Sequence, residues 1–300
     1  MWQYHFFKLL SRLICLLPHQ ALLLLGRGMG HIYYYAAKKQ RLRAEKTIEE
    51  RLAVDGQEAM RITQAMCVKL GQTFLEALYM PCLTKEKINR LVKIDHPEYL
   101  WDAVKEGRGV VLLTAHIGNW EWLGAGLALN GYPLTSVVKP QPNEQHTRIL
   151  NENREHVGIE IFSRGTMEMI GAAKALKAGK ILGFLADQDA GPKGLFIPFL
   201  GKPASTPVGP AFFAHKFKAP IVGAFITRNE DGSHQIHLQP PYHYEDTGDP
   251  ENDTYRLTVR MTQAVEAMIR RYPDNWLWFQ KRWSTPAPET RKGPHHENKG

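Results

Sequence analysis

Cysteine is scarce in this chain: Cys15, Cys67 and Cys82 are the whole complement. An odd number, each among apolar neighbours, reads as reduced packing residues in a cytosolic compartment. None sits in a turn beside a base, which argues against a nucleophilic role. Long apolar runs are also missing. Phe6 to Leu25 is apolar but broken by Lys8, Arg12, Pro18, His19 and Gln20, whereas a spanning helix needs about 20 largely uncharged residues. Cleavable signals carry a shorter core and a small-residue cleavage site, which this segment does not show, so a cleavable signal is not expected. There are no repeats or low-complexity tracts, no HExxH and no GxSxG, so neither a zincin nor a hydrolase elbow is present. Acidic residues are the minority: the net charge is +8 and the pI about 9.3. Without zinc-finger spacing, an RNP signature or a helix-turn-helix pattern, that excess points away from nucleic acid. It suits an anionic membrane surface or an acidic protein partner.

What the chain does carry is Thr114-Ala115-His116-Ile117-Gly118-Asn119-Trp120-Glu121, directly after the bare apolar run Val110-Val111-Leu112-Leu113. The run predicts a buried strand, and Trp120 to Asn130 a helix. A histidine therefore stands where a strand gives way to a helix, the end of an α/β sheet at which ligands collect. On one continuous helix, residues five apart diverge by about 140°. With His116 in the turn and Gly118 lending flexibility, Glu121 in the first helical turn can reach back to it. An imidazole oriented by a carboxylate can take a proton from a hydroxyl at neutral pH. A buried histidine satisfied by a nearby acid fits the motif equally well.

The rest of the chain alternates. Helices are predicted over Gln57 to Met80, Pro97 to Lys105, Glu144 to His156, Met167 to Lys177, Val208 to Lys218 and Thr254 to Arg271. Strands are predicted over Pro133 to Val138, Ile181 to Ala186 and Ile221 to Thr227, with Ile236 to Leu238 pairing to the last. This implies an α/β fold, a mixed, mostly parallel sheet flanked by helices. Phe196 to Gly209, rich in Gly, Pro, Ser and Thr, reads as a loop leading into a helix. The chain divides into an N-terminal segment (1–46), a catalytic domain (47–285) and a polar, proline-bearing tail (286–300) that reads as disordered. In the N-terminal segment, Leu9, Leu13 and Leu16 fall on one face and Lys8 and Arg12 on another, as in a helix lying in a membrane plane. Arg27, Lys38, Lys39, Arg41, Arg43 and Lys46 follow, a cluster that favours anionic headgroups.

Further candidates stand at predicted element ends. Arg164 precedes a helix, where backbone N–H groups and a planar guanidinium can meet an anion; an exposed loop arginine is the plainer alternative. Asp187, Gln188 and Asp189 follow the second buried strand and should share the crevice with His116. They could hold substrate hydroxyls, orient Arg164 or bind a cation, or simply cap the strand end. No histidine or third acid follows at ligand spacing, so a metal site is not expected, nor is a cofactor. The block Trp276-Leu277-Trp278-Phe279-Gln280-Lys281-Arg282-Trp283 resembles an interfacial aromatic belt, although core closure suits Trp276 and Phe279 better.

His-x-x-Asn-Trp-Glu after an apolar strand resembles the lipid A biosynthesis acyltransferases, the lauroyl/myristoyl branch of the glycerolipid acyltransferase superfamily. Four further blocks agree in order: Ser163-Arg164-Gly165, Ala186-Asp187-Gln188-Asp189, Phe199 to Gly209, and Trp276 to Trp283. The resemblance spans about Val110 to Ser284 and implies the superfamily fold with an N-terminal membrane-associated helix. It implies His116 as general base with Glu121 fixing its tautomer, and Asn119, Arg164, Asp187, Gln188 and Asp189 contacting substrate. It also implies an acyl thioester donor, acyl carrier protein or acyl-CoA, a glycolipid acceptor, and a place on the cytoplasmic face of a bacterial inner membrane. The glycerol-phosphate branch carries a glutamate in the Arg164 block. This chain has none there, which favours the lipid A branch over glycerol phosphate; a lipid A precursor is the expected acceptor, and another glycolipid or a lysophospholipid is the alternative. A non-catalytic membrane-surface protein is the reading that His116 and Glu121 argue against.

Overall fold

The computed structural model describes residues 2–138, 142–163 and 166–288, with backbone alone at 166 and 167. Its centre is β2 (Val110–Thr114), buried at every position. It pairs in parallel with β5 (Ile181–Leu185) on one side and β8 (Ile221–Arg228) on the other. Bare apolar runs suit strands covered on both faces. Beyond β5 lie β3 (Leu134–Val138) and β4 (Glu160–Ser163). Beyond β8 lie β9 (His234–Leu238) and β1 (Val92–Asp95), giving the order β1-β9-β8-β2-β5-β3-β4. Only β8 and β9 run antiparallel. The mostly parallel α/β sheet expected from the alternation is therefore present. β2 sits where the chain's direction of winding reverses, and the crevice beyond its C-terminal end is the natural site for chemistry.

Helices cover both faces. α5 (Lys85–Leu91), α6 (Pro97–Lys105) and α7 (Trp120–Leu129) close one hydrophobic cluster; α9 (Thr166–Lys177), α10 (Gly209–Phe217) and α11 (Pro250–Arg271) close the other. α8 (Glu144–His156) joins the first face. The long α4 (Gly56–Tyr79), capped by Asp55 accepting from Glu58 N at 2.8 Å, crosses the C-terminal edge of the sheet. It feeds Ile62 and Met66 into one cluster and Leu75 and Leu78 into the other.

The N-terminal residues form α1 (Trp2–Ile14), α2 (His19–Ala36) and α3 (Lys38–Leu52). α2 lies against α4 at a distance only glycine permits. A Cβ on Gly30 would stand 2.4 Å from Cys67 O, and one on Gly71 2.3 Å from Gly26 O. The outer faces of α1 and α2 leave Trp2, Phe6, Leu9, Leu13, Leu24 and Ile32 exposed, as is Leu16 in the corner between them. Among the described residues no helix is long and apolar enough to cross a membrane.

Three expectations are corrected. Phe196 to Gly209 is not a loop: β6 (Leu195–Phe199) and β7 (Lys202–Thr206) form an antiparallel hairpin turned by Leu200 and Gly201, both at positive φ. Cys15 and Cys82 are not reduced thiols but a disulfide, with Cα atoms 5.8 Å apart. Their apolar surroundings are the contact itself, where the α1–α2 corner folds onto the turn after α4; Cys67 alone is free, and burial pushes its thiol up to about 12. Nor does Trp278 belong to a surface belt: it is 2% exposed, buried beside Trp276, which at 1% closes the core as expected. Of the expected disordered tail, only residues 286–288 are described.

Candidate active site

The strand-to-helix turn after β2 is built as the motif suggests. Gly118 takes φ +58° and lies so close to β8 that a Cβ there would stand 2.2 Å from Ile226 O. Asn119 caps α7 by accepting from Trp122 N at 3.0 Å. His116 sits in the turn, with its side chain 15% exposed. It lines a cleft of about 710 Å³ that also takes in Phe74, Trp120, Glu121, Arg154 and Gln188.

The carboxylate that orients the imidazole is Asp187, not Glu121. Asp187 Oδ1 lies 2.8 Å from His116 Nδ1, and Oδ2 accepts from the His116 backbone N–H at 3.0 Å. Trp276 Nε1 and Gln280 Nε2 also donate to Oδ2, at 2.8 and 2.9 Å. Burial alone would raise the Asp187 pKa, but His116 and these donors outweigh it and hold it far below the usual carboxylate range. Burial likewise opposes charge on His116, yet the Asp187 anion prevails and raises the ring above its ordinary value. With Nδ1 engaged, Nε2 is the nitrogen left to serve the cleft.

Glu121 instead receives a two-pronged contact from Arg154 on α8, Nε to Oε2 at 2.8 Å and NH2 to Oε1 at 2.5 Å. Burial acts to raise the Glu121 pKa, and Arg154 more than reverses it. The sequence offered no signal for Arg154, one basic residue in a polar helix.

Asn119 is fully buried, with its amide N–H₂ on Glu76 at 2.8 Å, so it builds the turn and does not face substrate as expected. For Asp189 the structure favours the capping alternative over a substrate contact. The Asp189 carboxylate accepts from Gly191 N, Thr285 N and Thr285 Oγ1 and staples two loops together. Gln188 does line the cleft. Arg164 lies outside the described residues.

Sequence reasoning missed Glu76, which is wholly buried on α4. Its oxygens receive His19, Arg228, His234 and Asn119. Burial would raise its pKa, but His234 and Arg228 outweigh that and keep it ionised. The available signal was a carboxylate flanked by the buried Leu75 and Leu78. Its network joins the start of α2 to the cap of α7.

Beneath the cleft a second cavity of about 60 Å³ runs between α7 and the sheet, lined by Leu112, Leu123, Leu134, Ile159 and Gly183. Trp120, Glu121, Arg154 and Leu185 border both spaces. Among the described residues no group of three acids, histidines or cysteines is placed to hold a metal.

A buried His–Asp pair opening on a half-apolar cleft, at the C-terminal edge of a parallel sheet, is chemically able to take a proton from a hydroxyl held in that cleft. The chain belongs to the bacterial lipid A biosynthesis acyltransferase family, whose profile matches residues 1–285, and it is an acyltransferase. It is 24% identical to the lipid A biosynthesis lauroyltransferase of Escherichia coli K12, over 91% of this chain and 88% of that one. It is also 24% identical to the phosphatidylinositol mannoside acyltransferase of Mycolicibacterium smegmatis, over 77% and 75% of the two chains. The enzyme of that name from Mycobacterium tuberculosis H37Rv is 26% identical, over 76% and 72%.

Proposed function

We propose that the protein moves a fatty acyl group from a thioester, carried by acyl carrier protein or CoA, to a hydroxyl of a lipid A precursor. The observation that carries this is the His116–Asp187 pair at the wall of the cleft. Nε2 of His116 takes the hydroxyl proton as the oxygen attacks the thioester carbonyl carbon. The imidazolium that forms is steadied by Asp187. The C–S bond then breaks, and the departing sulfur takes the proton from His116. No acyl-enzyme is needed. Base assistance of this kind supplies roughly 10²–10⁴-fold. The Glu121–Arg154 pair fixes α8 against the first turn of α7 and so shapes the cleft wall beside the ring. The apolar cavity beneath suits hydrocarbon, and that supports a fatty chain on the donor.

The relatives named for phosphatidylinositol mannosides favour a second acceptor, a mannosylated phospholipid, with the chemistry unchanged. Both acceptors are membrane lipids. The exposed apolar faces of α1 and α2 support docking on a membrane surface, the helices lying in its plane, and we place that surface on the cytoplasmic face of the inner membrane. The test is mass spectrometry of lipids after incubation with acyl carrier protein and CoA thioesters and each acceptor in turn. An acylated glycolipid formed by wild type and lost in His116→Ala is expected. Equal product from the two proteins would defeat the reading.

A further inference from the structure

The segment after α11 does more than close the core. The chain leaves α11, turns at Pro273–Asn275 and runs beside the catalytic turn. Ile117 and Trp276 form an antiparallel bridge. Gly118 N donates to Asn275 O at 2.8 Å, and Leu277 N to His116 O at 3.0 Å. The backbone on both sides of His116 is therefore tied to this segment. Its side chains then reach past the ring to the carboxylate behind it.

That carboxylate is used asymmetrically. Asp187 Oδ1 has His116 Nδ1 as its partner, whereas Oδ2 accepts from His116 N, Trp276 Nε1 and Gln280 Nε2. Three donors on one oxygen fix the rotation of the carboxylate group. Were it free to turn, Oδ2 would compete for Nδ1, the ring would lose its set direction, and the proton could settle on either nitrogen. General-base work needs Nε2 bare and aimed at the hydroxyl.

We propose that Trp276 and Gln280 are positioning residues of the acyl transfer, clamping Asp187 so that His116 is held in its Nδ1–H tautomer with Nε2 facing the cleft. The inference rests on His116 acting as the base proposed above. Neither residue lines the cleft, so their loss should act on kcat and not on substrate capture. A misplacement of this kind lowers the rate by roughly 10–100-fold.

Trp278 supplies the control. It is as buried as Trp276 and comes from the same segment, but its indole N–H donates to Pro273 O at 2.7 Å instead of Asp187. Trp276→Phe and Trp278→Phe each remove one indole hydrogen bond and some packing. Gln280→Met, at a half-buried position, removes one donor with little change of volume.

Two readouts decide. The first is steady-state kinetics with donor and acceptor varied separately. Gln280→Met and Trp276→Phe should lose kcat by about ten-fold or more, with both KM values within about two-fold of wild type. The second is the ¹⁵N spectrum of histidine-labelled full-length protein, with the His116 signals assigned through His116→Gln. Wild type should show a protonated Nδ1 and a bare Nε2. Gln280→Met should show a mixed tautomer, and the double variant Gln280→Met/Trp276→Phe still more mixing. Trp278→Phe should keep the wild-type tautomer even if its Tm falls. A wild-type tautomer and kcat in both Gln280→Met and Trp276→Phe would overturn the proposal and leave the segment as core closure. The ¹⁵N readout does not depend on activity, so loss of the acyl-transfer reading and loss of the clamp are separately visible.

Discussion

Asp187 and Glu121 are both buried anions near His116, and they do different things. Asp187 bonds the ring, while Glu121 is engaged by Arg154. Substituting Asp187→Asn should therefore cost roughly 10²–10⁴-fold in kcat, because the charge that steadies the imidazolium is gone and the tautomer is no longer fixed. The pH dependence has a definite sign. His116 is raised above 6.5, and in the proposed mechanism the neutral ring is the base, so the acid limb of kcat/KM should lie above pH 6.5. In Asp187→Asn burial and the Arg154 charge, both lowering, face only the Glu121 anion, and the residual activity should show that limb moved to lower pH. A limb unmoved by the substitution would refute the pairing as the cause. The same pair bears on stability. The raised His116 contributes stability that is fully present below its unfolded value of 6.5 and is lost as pH rises through the raised value. The depressed Asp187 contributes stability above 3.8 that is lost as pH falls toward its folded value. His116 itself was legible in the sequence, because a histidine directly after a bare apolar run falls at a sheet edge. Its partner was not. Glu121 was the nearest acid along the chain, yet Gly118 turns the backbone so that the ring meets a carboxylate 71 residues away. Asp187 had been singled out for its place after β5, but nothing local distinguished a partner for His116 from a substrate ligand or a cap.

Elements were legible in proportion to their burial. β2, β5 and β8 announce themselves as apolar runs. The edge strands β1 and β4, Val92-Lys93-Ile94-Asp95 and Glu160-Ile161-Phe162-Ser163, are short and half polar, and they went unread. The hairpin of β6 and β7 hid behind its prolines and glycines. Sheet order was beyond reach, since it depends on which crossovers pass over which strands. The approach of α2 to α4 was hidden too, although its cause is written in Gly26-Arg27-Gly28-Met29-Gly30. Two of these glycines face the neighbouring helix and one does not, which gives a paired prediction. Gly30→Val puts a side chain where Cys67 O and Val68 Cα stand 2.4 and 2.5 Å away, and overpacking of this kind costs about 1–3 kcal/mol. At Gly28 a Cβ meets nothing within 4 Å, so Gly28→Ala should gain about 0.5–1 kcal/mol from helix propensity alone. Thermal unfolding of the two variants should therefore move Tm in opposite directions. An unchanged Tm in Gly30→Val would mean that α2 is held by something other than this close approach.

At the scale of the molecule, an excess of eight positive charges coexists with an apolar face that the fold leaves uncovered. Along α1 and the corner after it, Leu9, Leu13 and Leu16 are 57%, 52% and 80% exposed. The same helix is tied inward: Tyr4 and Lys8 meet Glu152 on α8, and Phe7 packs on Phe74 at the cleft. A lipid surface meeting α1 would thus lie next to the cleft, where the proposed lipid acceptor would enter. Removing residues 1–46 would strip α2 from α4 and confuse anchoring with folding, so outward-facing substitutions make the better test. Leu9→Glu, Leu13→Glu and Leu16→Glu together forfeit the apolar insertion of three side chains, about 1 kcal/mol each if half inserted. That corresponds to a roughly hundred-fold weaker partition, before repulsion between the new carboxylates and an anionic surface is counted. The triple variant should keep the wild-type Tm and still acylate a short-chain, detergent-dispersed acceptor. It should no longer sediment with vesicles containing phosphatidylglycerol. Wild-type binding should weaken as salt rises, because basic residues near an anionic surface are screened over about 10 Å at 0.1 M. Sedimentation of the triple variant equal to that of wild type would place the membrane contact away from α1.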